Sequence, residues 1–197
     1  MNHTQSRHHT VMLVQEAVFV ALIAIGAFIR LPLVWMDYFD LGPLFVLWAG
    51  YLLGPWRGAR VVAVYTLLGL LGVPIFVEGG GLGYILKPTF GYLLGYMAAA
   101  WLAGYLVRGH EQDSRVRYLW MTFLCFCAVY VFGIGYKWLL VNIYFNEVLP
   151  LWAIMSASLI PMPAEVILFG LASAFVVPQL HRSVQFYKGV SARELSR

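Results

Sequence analysis

Six apolar stretches, separated by short connections, constrain this chain more than any other feature of its sequence. Of the 197 residues, 61% are hydrophobic and only 11% are charged, which is about half the charged fraction of a soluble domain. A helix that crosses a membrane needs about 20 residues, so six helices fit and leave only short loops and tails. We therefore predict an all-α integral membrane protein with a transmembrane domain over 11–180, tails at 1–10 and 181–197, and six helical stretches at 11–33, 41–53, 61–77, 88–107, 118–141 and 149–180, the last broken near Pro161 and Pro163.

The basic residues predict how these helices are oriented. Ten of the 13 Lys and Arg residues lie on the tails and on the even-numbered connections, and by the positive-inside rule that side is the cytoplasm. We therefore expect a multi-pass protein of the bacterial inner membrane, surrounded by lipid, with both termini in the cytoplasm. The remaining cations, Arg30, Lys87 and Lys137, fall on the outer side. Because the rule does not explain them, they are candidates for ligand binding.

A glycine-rich connection lies between the third and fourth stretches. Gly79, Gly80, Gly81 and Gly83 disfavour a helix and let the backbone approach a ligand or another segment closely. Irregular backbone at membrane depth is tolerated where it is buried in protein or lines a cavity. The fourth helix begins just after Lys87, and a helix N-terminus beside a cation favours a carboxylate. A phosphate-binding loop is disfavoured because the Gly-Lys-Ser/Thr ending is missing.

Small residues form stripes on two of the predicted helices. The fourth carries Gly91, Gly95, Ala99 and Ala103 at four-residue spacing, and the first carries Ala17, Ala21 and Ala24 on one face of its cytoplasmic half. Such surfaces let another helix approach closely. Ordinary packing within the chain and docking to another membrane protein both remain open, because periodicity does not distinguish them.

The sequence disfavours catalysis and predicts no metal or cofactor site. The five histidines lie on the tails and connections, which leaves Glu165 and Lys137 as the acid–base groups at membrane depth. Cys125 and Cys127, two residues apart on a helix, point in different directions and have no histidine beside them to complete a metal site. The net charge of +4 is explained by orientation, so no nucleic-acid partner is expected. An intramembrane enzyme remains as a weak alternative.

The run Gly-Gly-Gly-Leu-Gly-Tyr-Ile-Leu-Lys-Pro-Thr-Phe-Gly-Tyr-Leu-Leu-Gly-Tyr over 79–96 resembles the signature of BioY proteins, the biotin-binding S components of energy-coupling factor transporters. The segments 53–60 and 71–76 resemble the same family in the same order. This resemblance implies a six-helix bundle that takes up biotin from outside, usually together with a T subunit and two cytoplasmic ATPases. A stand-alone transporter, which would self-associate instead of using these partners, is the alternative. The resemblance also implies that Ala17 and Ala21 press against the T subunit. No Walker motif occurs in the chain.

Three departures from the family pattern bear on the ligand. Ahead of the second helix, Asp40-Leu-Gly42 replaces a Thr-x-Gln element, and we expect Asp37 and Asp40 to form a solvated outer loop. The pattern Pro-x-x-Pro-Gly-Asp-x-x-Lys aligns with 160–168, so that Glu165 supplies the acid and Leu168 replaces the lysine. Lys87 stands where the family has a glycine. These departures leave open another vitamin, or a precursor such as dethiobiotin, as the cargo.

Biotin has a carboxylate tail, an apolar ring and chain, and a ureido group, and a site for it needs a partner for each. Lys87, Lys137 or Arg30 could bind the carboxylate, and Glu165 could accept from the ureido N–H groups. A Lys137–Glu165 structural ion pair, or Arg30 reaching to the interface, are the alternatives. The other residues predicted to bind substrate are Tyr84, Tyr92, Trp138, Gly80 and Gly81.

Overall fold

A computed structural model describes residues 3–33, 36–108, 114–144 and 149–194 of the chain. Over these residues the fold is mostly helical. A 3₁₀ turn at Leu82–Leu86 precedes the fourth helix, and the fifth helix passes directly into a π-helical turn at Leu140–Tyr144. The helices are α1 (His3–Phe28), α2 (Gly42–Leu53), α3 (Pro55–Leu70), α4 (Phe90–Leu106), α5 (Arg115–Leu139), α6 (Leu151–Leu159) and α7 (Met162–Glu194).

Three segments within the described residues are long and apolar enough to cross a membrane. They are His9–Phe28 in α1, Arg115–Tyr144 through α5 and its π turn, and Met162–Leu180 in α7. Helices α2 and α4 are apolar but shorter. The chain is therefore an integral membrane protein, whereas the count of six crossings stays a prediction. Both α1 and α7 extend as helix into the predicted tails, beginning at His3 and ending at Glu194.

The first helix ends earlier in the structure than the sequence predicts. Helix α1 ends at Phe28 instead of residue 33, and an antiparallel hairpin follows, made of β1 (Arg30–Leu33) and β2 (Met36–Asp40). In the register of this hairpin, the backbone of Arg30 lies opposite that of Asp40. The physical reason is Pro32, which lacks an N–H and cannot continue the helical hydrogen bonding. Hydropathy alone does not register this break.

The third predicted helix is displaced along the sequence. The prediction of 61–77 avoids Arg57 and Arg60, yet α3 begins at Pro55, a favourable first residue of a helix. Arg57 is accommodated because its Nε lies 2.9 Å from Oε1 of Glu16 on α1, and Arg60 lies 3.6 Å from the same oxygen. The helix ends before Gly72, whose φ of 104° is one that glycine adopts readily. The predicted break near Pro161 and Pro163 is confirmed, since α6 ends at Leu159 and α7 begins at Met162.

Helix α4 packs against α2, α3 and α5, and its small residues make these contacts possible. A Cβ placed on Gly95 would lie 2.7 Å from Cα of Val129 on α5, and one placed on Gly50 of α2 would lie 2.9 Å from Cβ of Ala103. Ala99 and Ala103 are buried. For the α4 stripe, the packing alternative is therefore confirmed.

We expect Gly95→Ala to destabilise the protein by about 1 to 3 kcal/mol, the usual cost of overpacking. The new methyl group would overlap the backbone of α5, which cannot move aside as a flexible side chain can. The matched control is Gly135→Ala on α5, where the added Cβ has no atom within 4 Å apart from those of its chain neighbours and of its own helix backbone, and helix propensity favours alanine. Thermal unfolding in detergent measures the stability of both variants. Equal melting temperatures for the two variants would contradict the assignment of Gly95 to a close contact between α4 and α5.

Candidate functional site

A cavity of about 300 Å³ lies inside the helical bundle, at the lower end of the size range of small-molecule sites. Every helix contributes to its wall, as do the Asp40–Gly42 and glycine-rich connections. Hydroxyl-bearing and aromatic side chains dominate the surface, with three charged groups among them. The lining residues are Ile23, Ala27, Asp40, Gly42, Tyr65, Phe76, Val77, Tyr84, Thr89, Tyr92, Leu93, Tyr96, Phe126, Val129, Tyr130, Lys137, Ser158, Pro161 and Glu165.

Aromatic rings pack in pairs along the cavity wall. The ring centroids of Tyr65 and Phe76 are 5.5 Å apart, those of Phe76 and Tyr84 are 4.4 Å apart, and those of Tyr92 and Tyr130 are 5.9 Å apart. Phe76 fits because Gly69 has no side chain: a Cβ there would overlap the Phe76 ring. Such a wall can enclose an apolar ring or chain, with the tyrosine hydroxyls as polar points.

Glu165 is held in place at the start of α7 by a tyrosine. The hydroxyl of Tyr130 on α5 donates a hydrogen bond to its Oε2, with an O–O distance of 2.7 Å. In the described part of the chain, Glu165 makes no other side-chain hydrogen bond and no ion pair. One carboxylate oxygen is fixed by the protein, and the group can still accept hydrogen bonds from a ligand in the cavity.

Lys137 lines the same cavity seven residues beyond Tyr130 on α5, which is about 10 Å along a helix. Its ammonium group has no ion pair or hydrogen bond to any residue that the structure describes. The predicted alternative of a Lys137–Glu165 ion pair is therefore not formed. The cavity therefore contains the Glu165 carboxyl group as an acceptor beside Tyr130, and Lys137 as a cation about two turns of α5 further along.

Asp40, predicted above as part of a solvated outer loop, is a cavity residue in the structure. It is the last residue of β2, lines the cavity, and accepts a hydrogen bond from the backbone N–H of Gly42 at 2.9 Å. One signal in the sequence could have identified Asp40 as a cavity residue. Asp40-Leu-Gly42 departs from the family pattern at a position where a polar contact with the ligand is expected. The side chain of Asp37 lies outside the described residues.

Five other polar residues of the cavity, including Tyr65 on α3, were missed because nothing in the local sequence distinguishes them. Tyr96 and Tyr130 belong to apolar helices rich in aromatic residues, and Thr89 and Ser158 lie at helix ends. Only the packing of segments distant in sequence brings these side chains to one cavity. The hydroxyl of Thr89, for example, donates to that of Tyr84 at 3.2 Å.

The glycine-rich connection folds onto the end of α3. The N–H of Gly81 donates to the carbonyl of Gly69 at 2.7 Å, and Gly79 and Gly81 both have φ of 103°. A Cβ on Gly80 would lie 2.9 Å from the Gly69 carbonyl oxygen. Gly80 and Gly81 are not among the lining residues. Their conformation instead allows Phe76, Val77 and Tyr84 of the same connection to reach the cavity.

Two further predicted residues, Lys87 and Trp138, are not brought to the cavity lining. Lys87 lies outside it: its Nζ is 3.0 Å from Oε2 of Glu78, donates to the Glu78 carbonyl at 3.0 Å, and lies 5.3 Å from the Tyr84 ring centroid. Trp138 is exposed on α5 and is also absent from the lining. The side chain of Arg30 lies outside the described residues.

The small residues of α1 differ in exposure. Ala17 and Ala21 are exposed, whereas Ala24 is half-buried and packs against the core between α1, α2 and α3. Large apolar side chains, including Val14, Val18 and Ile25, are exposed on the same helix. An apolar surface of this kind faces either lipid or another membrane protein.

Comparisons with known proteins bear on the whole chain. The model of the BioY family matches residues 1–186. A probable biotin transporter BioY of Lysinibacillus sphaericus is 38% identical over 137 residues, covering 70% of this chain and 69% of the relative. The biotin transporter BioY of Thermotoga maritima is 33% identical over 137 residues, covering 69% and 77%.

A solved structure extends the comparison to the fold. The S-component for biotin from an ECF-type ABC transporter superposes with a TM-score of 0.64, covering 92% of this chain and 95% of that one at 23% identity. At this level of identity the match establishes a shared fold.

Proposed function

This chain belongs to the BioY family, and from that premise we propose that it binds biotin in the cavity and carries it across the cytoplasmic membrane. One observation carries the proposal: the aromatic cavity presents Glu165, fixed by Tyr130, and Lys137, which has no partner among the described residues. Relatives named biotin transporters support the same cargo.

The two charged residues match the two polar ends of biotin. Glu165 accepts hydrogen bonds from the ureido N–H groups, and Lys137 binds the carboxylate. The thiophane ring and the valeryl chain lie between them, against the tyrosine and phenylalanine rings. Ligand sites commonly combine such an apolar enclosure with a few polar groups that fix orientation. The proposed activity is capture and transport, without a chemical step.

Two connections would cover the bound ligand. One supplies Asp40 and Gly42, and the other supplies Phe76, Val77 and Tyr84 to the cavity wall. The second is attached to the helices by the hydroxyl of Tyr65, which donates to the Ile75 carbonyl at 2.9 Å, and by that of Tyr136, which donates to the Ile85 carbonyl. We infer that biotin enters from outside when these connections separate.

We assign the energy source for transport to partner proteins. The matched structure is an S-component of an ECF-type ABC transporter, which supports a T subunit and two cytoplasmic ATPases as partners here. The exposed Ala17 and Ala21 of α1 offer a surface for the T subunit, whereas the half-buried Ala24 is less accessible. Self-association on the same surface is the second possibility. Six crossings, cytoplasmic termini and location in the bacterial inner membrane are parts of this proposal.

Calorimetric titration of the purified protein in detergent tests the proposed cargo. We expect saturable one-to-one binding of biotin and no binding of thiamine, which has no carboxylate. Dethiobiotin, the precursor, retains the carboxylate and the ureido group. Competition between dethiobiotin and biotin shows which of the two the protein binds more tightly. Folded protein that binds neither biotin nor dethiobiotin would contradict the proposal and would leave only the shared fold.

A further inference from the structure

Ser158 has an unusual environment within the cavity. It lies in the last full turn of α6, lines the cavity and is 9% exposed. Its hydroxyl has no hydrogen-bond partner among the described residues. Serine in a helix usually bonds to the backbone of the preceding turn, as Ser156 does by donating to the Ala153 carbonyl at 3.0 Å. The Ser158 hydroxyl is therefore a polar group of the cavity wall that makes no hydrogen bond within the described protein.

The position of Ser158 relates it to Glu165. The two residues are seven apart, and Pro161 between them also lines the cavity. The N–H of Glu165 donates to the Pro161 carbonyl at 3.1 Å, so the first turn of α7 begins directly at this break. Ser158 and Glu165 thus flank the same α6–α7 junction, one as a neutral hydroxyl and the other as a carboxyl group.

We propose that the Ser158 hydroxyl donates a hydrogen bond to the ureido carbonyl oxygen of bound biotin. The inference rests on the proposed function, in which Glu165 accepts from the ureido N–H side. A cyclic urea carries its carbonyl directly between the two N–H groups, so a donor at the same α6–α7 junction as Glu165 is suited to reach the oxygen. Without such a donor, the buried carbonyl would lose the hydrogen bonds it makes in water.

Most other hydroxyls of the cavity are already engaged. Tyr130 donates to Glu165, Tyr65 donates to the Ile75 carbonyl, and Thr89 donates to Tyr84. Tyr96 is the rival donor, because its hydroxyl makes no hydrogen bond to the described residues. Ser158 is favoured because it lies beside the α6–α7 junction that carries Glu165.

The contact makes Ser158 a specificity-determining residue. A site built to donate to a carbonyl discriminates against a ligand that lacks a good acceptor there, because the buried donor is then left unpaired. The matched probe is 2-thiobiotin, in which sulfur, a weak acceptor, replaces the ureido oxygen. Its ring, chain and carboxylate are those of biotin, so the comparison isolates one atom.

The test is a cycle of two proteins and two ligands, measured by calorimetry. We expect Ser158→Ala to weaken biotin binding about tenfold, in the range for a lost hydrogen bond, and to weaken 2-thiobiotin binding by less than about twofold. The apo melting temperature of Ser158→Ala should be no lower than that of the parent, because no protein hydrogen bond is removed. Ser156→Ala, on the same helix, is the control and should leave both affinities unchanged.

The outcomes separate this contact from the proposed function. If the parent protein binds no biotin, the proposed function fails and this contact with it. If the parent binds biotin but Ser158→Ala loses affinity for neither ligand, or equally for both, the carbonyl contact is overturned while the cargo stands. A ligand-dependent loss in Tyr96→Phe, with none in Ser158→Ala, would also overturn it by assigning the donor to Tyr96.

Discussion

Glu165→Gln is expected to weaken biotin binding by about 10- to 100-fold. A hydrogen bond that involves a charged group contributes about 1.5 to 3 kcal/mol, and each 1.4 kcal/mol corresponds to a factor of ten in affinity. The glutamine keeps the size of the side chain, and its carbonyl oxygen can still accept from the Tyr130 hydroxyl, which now donates to Oε2 at 2.7 Å. The loss should therefore reflect the ligand contact. Calorimetric titration with biotin measures it.

The matched control for this variant is Glu78→Gln. Glu78 has the same side chain, but its carboxylate pairs with Lys87 at 3.0 Å outside the cavity lining, with 40% of the side chain exposed. Exposed ion pairs contribute little, typically about 0 to 1 kcal/mol, so biotin affinity should change less than about threefold. Comparable losses in the two variants, or full affinity in Glu165→Gln, would contradict the assignment of Glu165 to the ureido group.

Lys137→Met is expected to weaken biotin binding by about 10- to 100-fold and to leave the binding of biotin methyl ester nearly unchanged. Methionine retains an unbranched apolar side chain but removes the ammonium group that lines the cavity. The loss of a charge-assisted hydrogen bond should appear only with a ligand that carries a carboxylate. Parallel titrations of both ligands into both proteins measure the coupling between the cation and the carboxylate.

Lys87→Met provides the comparison that distinguishes the two candidate cations for the carboxylate. The Lys87 ammonium is paired with Glu78 and is not part of the cavity lining, so we expect biotin affinity within about threefold of the parent. A large, carboxylate-dependent loss in Lys87→Met, together with none in Lys137→Met, would show that the carboxylate is bound at the glycine-rich connection instead. Biotin would then lie outside the cavity described above.

The sequence predicted the helices well where hydropathy and local breaks decide them. Helices α2 and α4 lie close to their predicted bounds, and the break between α6 and α7 follows from Pro161 and Pro163. The errors occurred where tertiary contacts compensate for charge, as when Glu16 accommodates Arg57 inside α3. The hairpin after α1 was missed because residues 31–36 continue the apolar run of the helix before it.

Composition and the residue types along short segments are sufficient to identify an integral membrane protein, the side chains that could bind a charged ligand, and the family that this chain resembles. The packing of the helices is needed to see that Lys137 lines the cavity while Lys87 pairs with Glu78, that Tyr130 holds Glu165, and that Ser158 is buried without a described partner. The physical reason is that a side chain's neighbours depend on how helices distant in sequence pack together, and that packing rests on close contacts such as that of Gly95 with Val129.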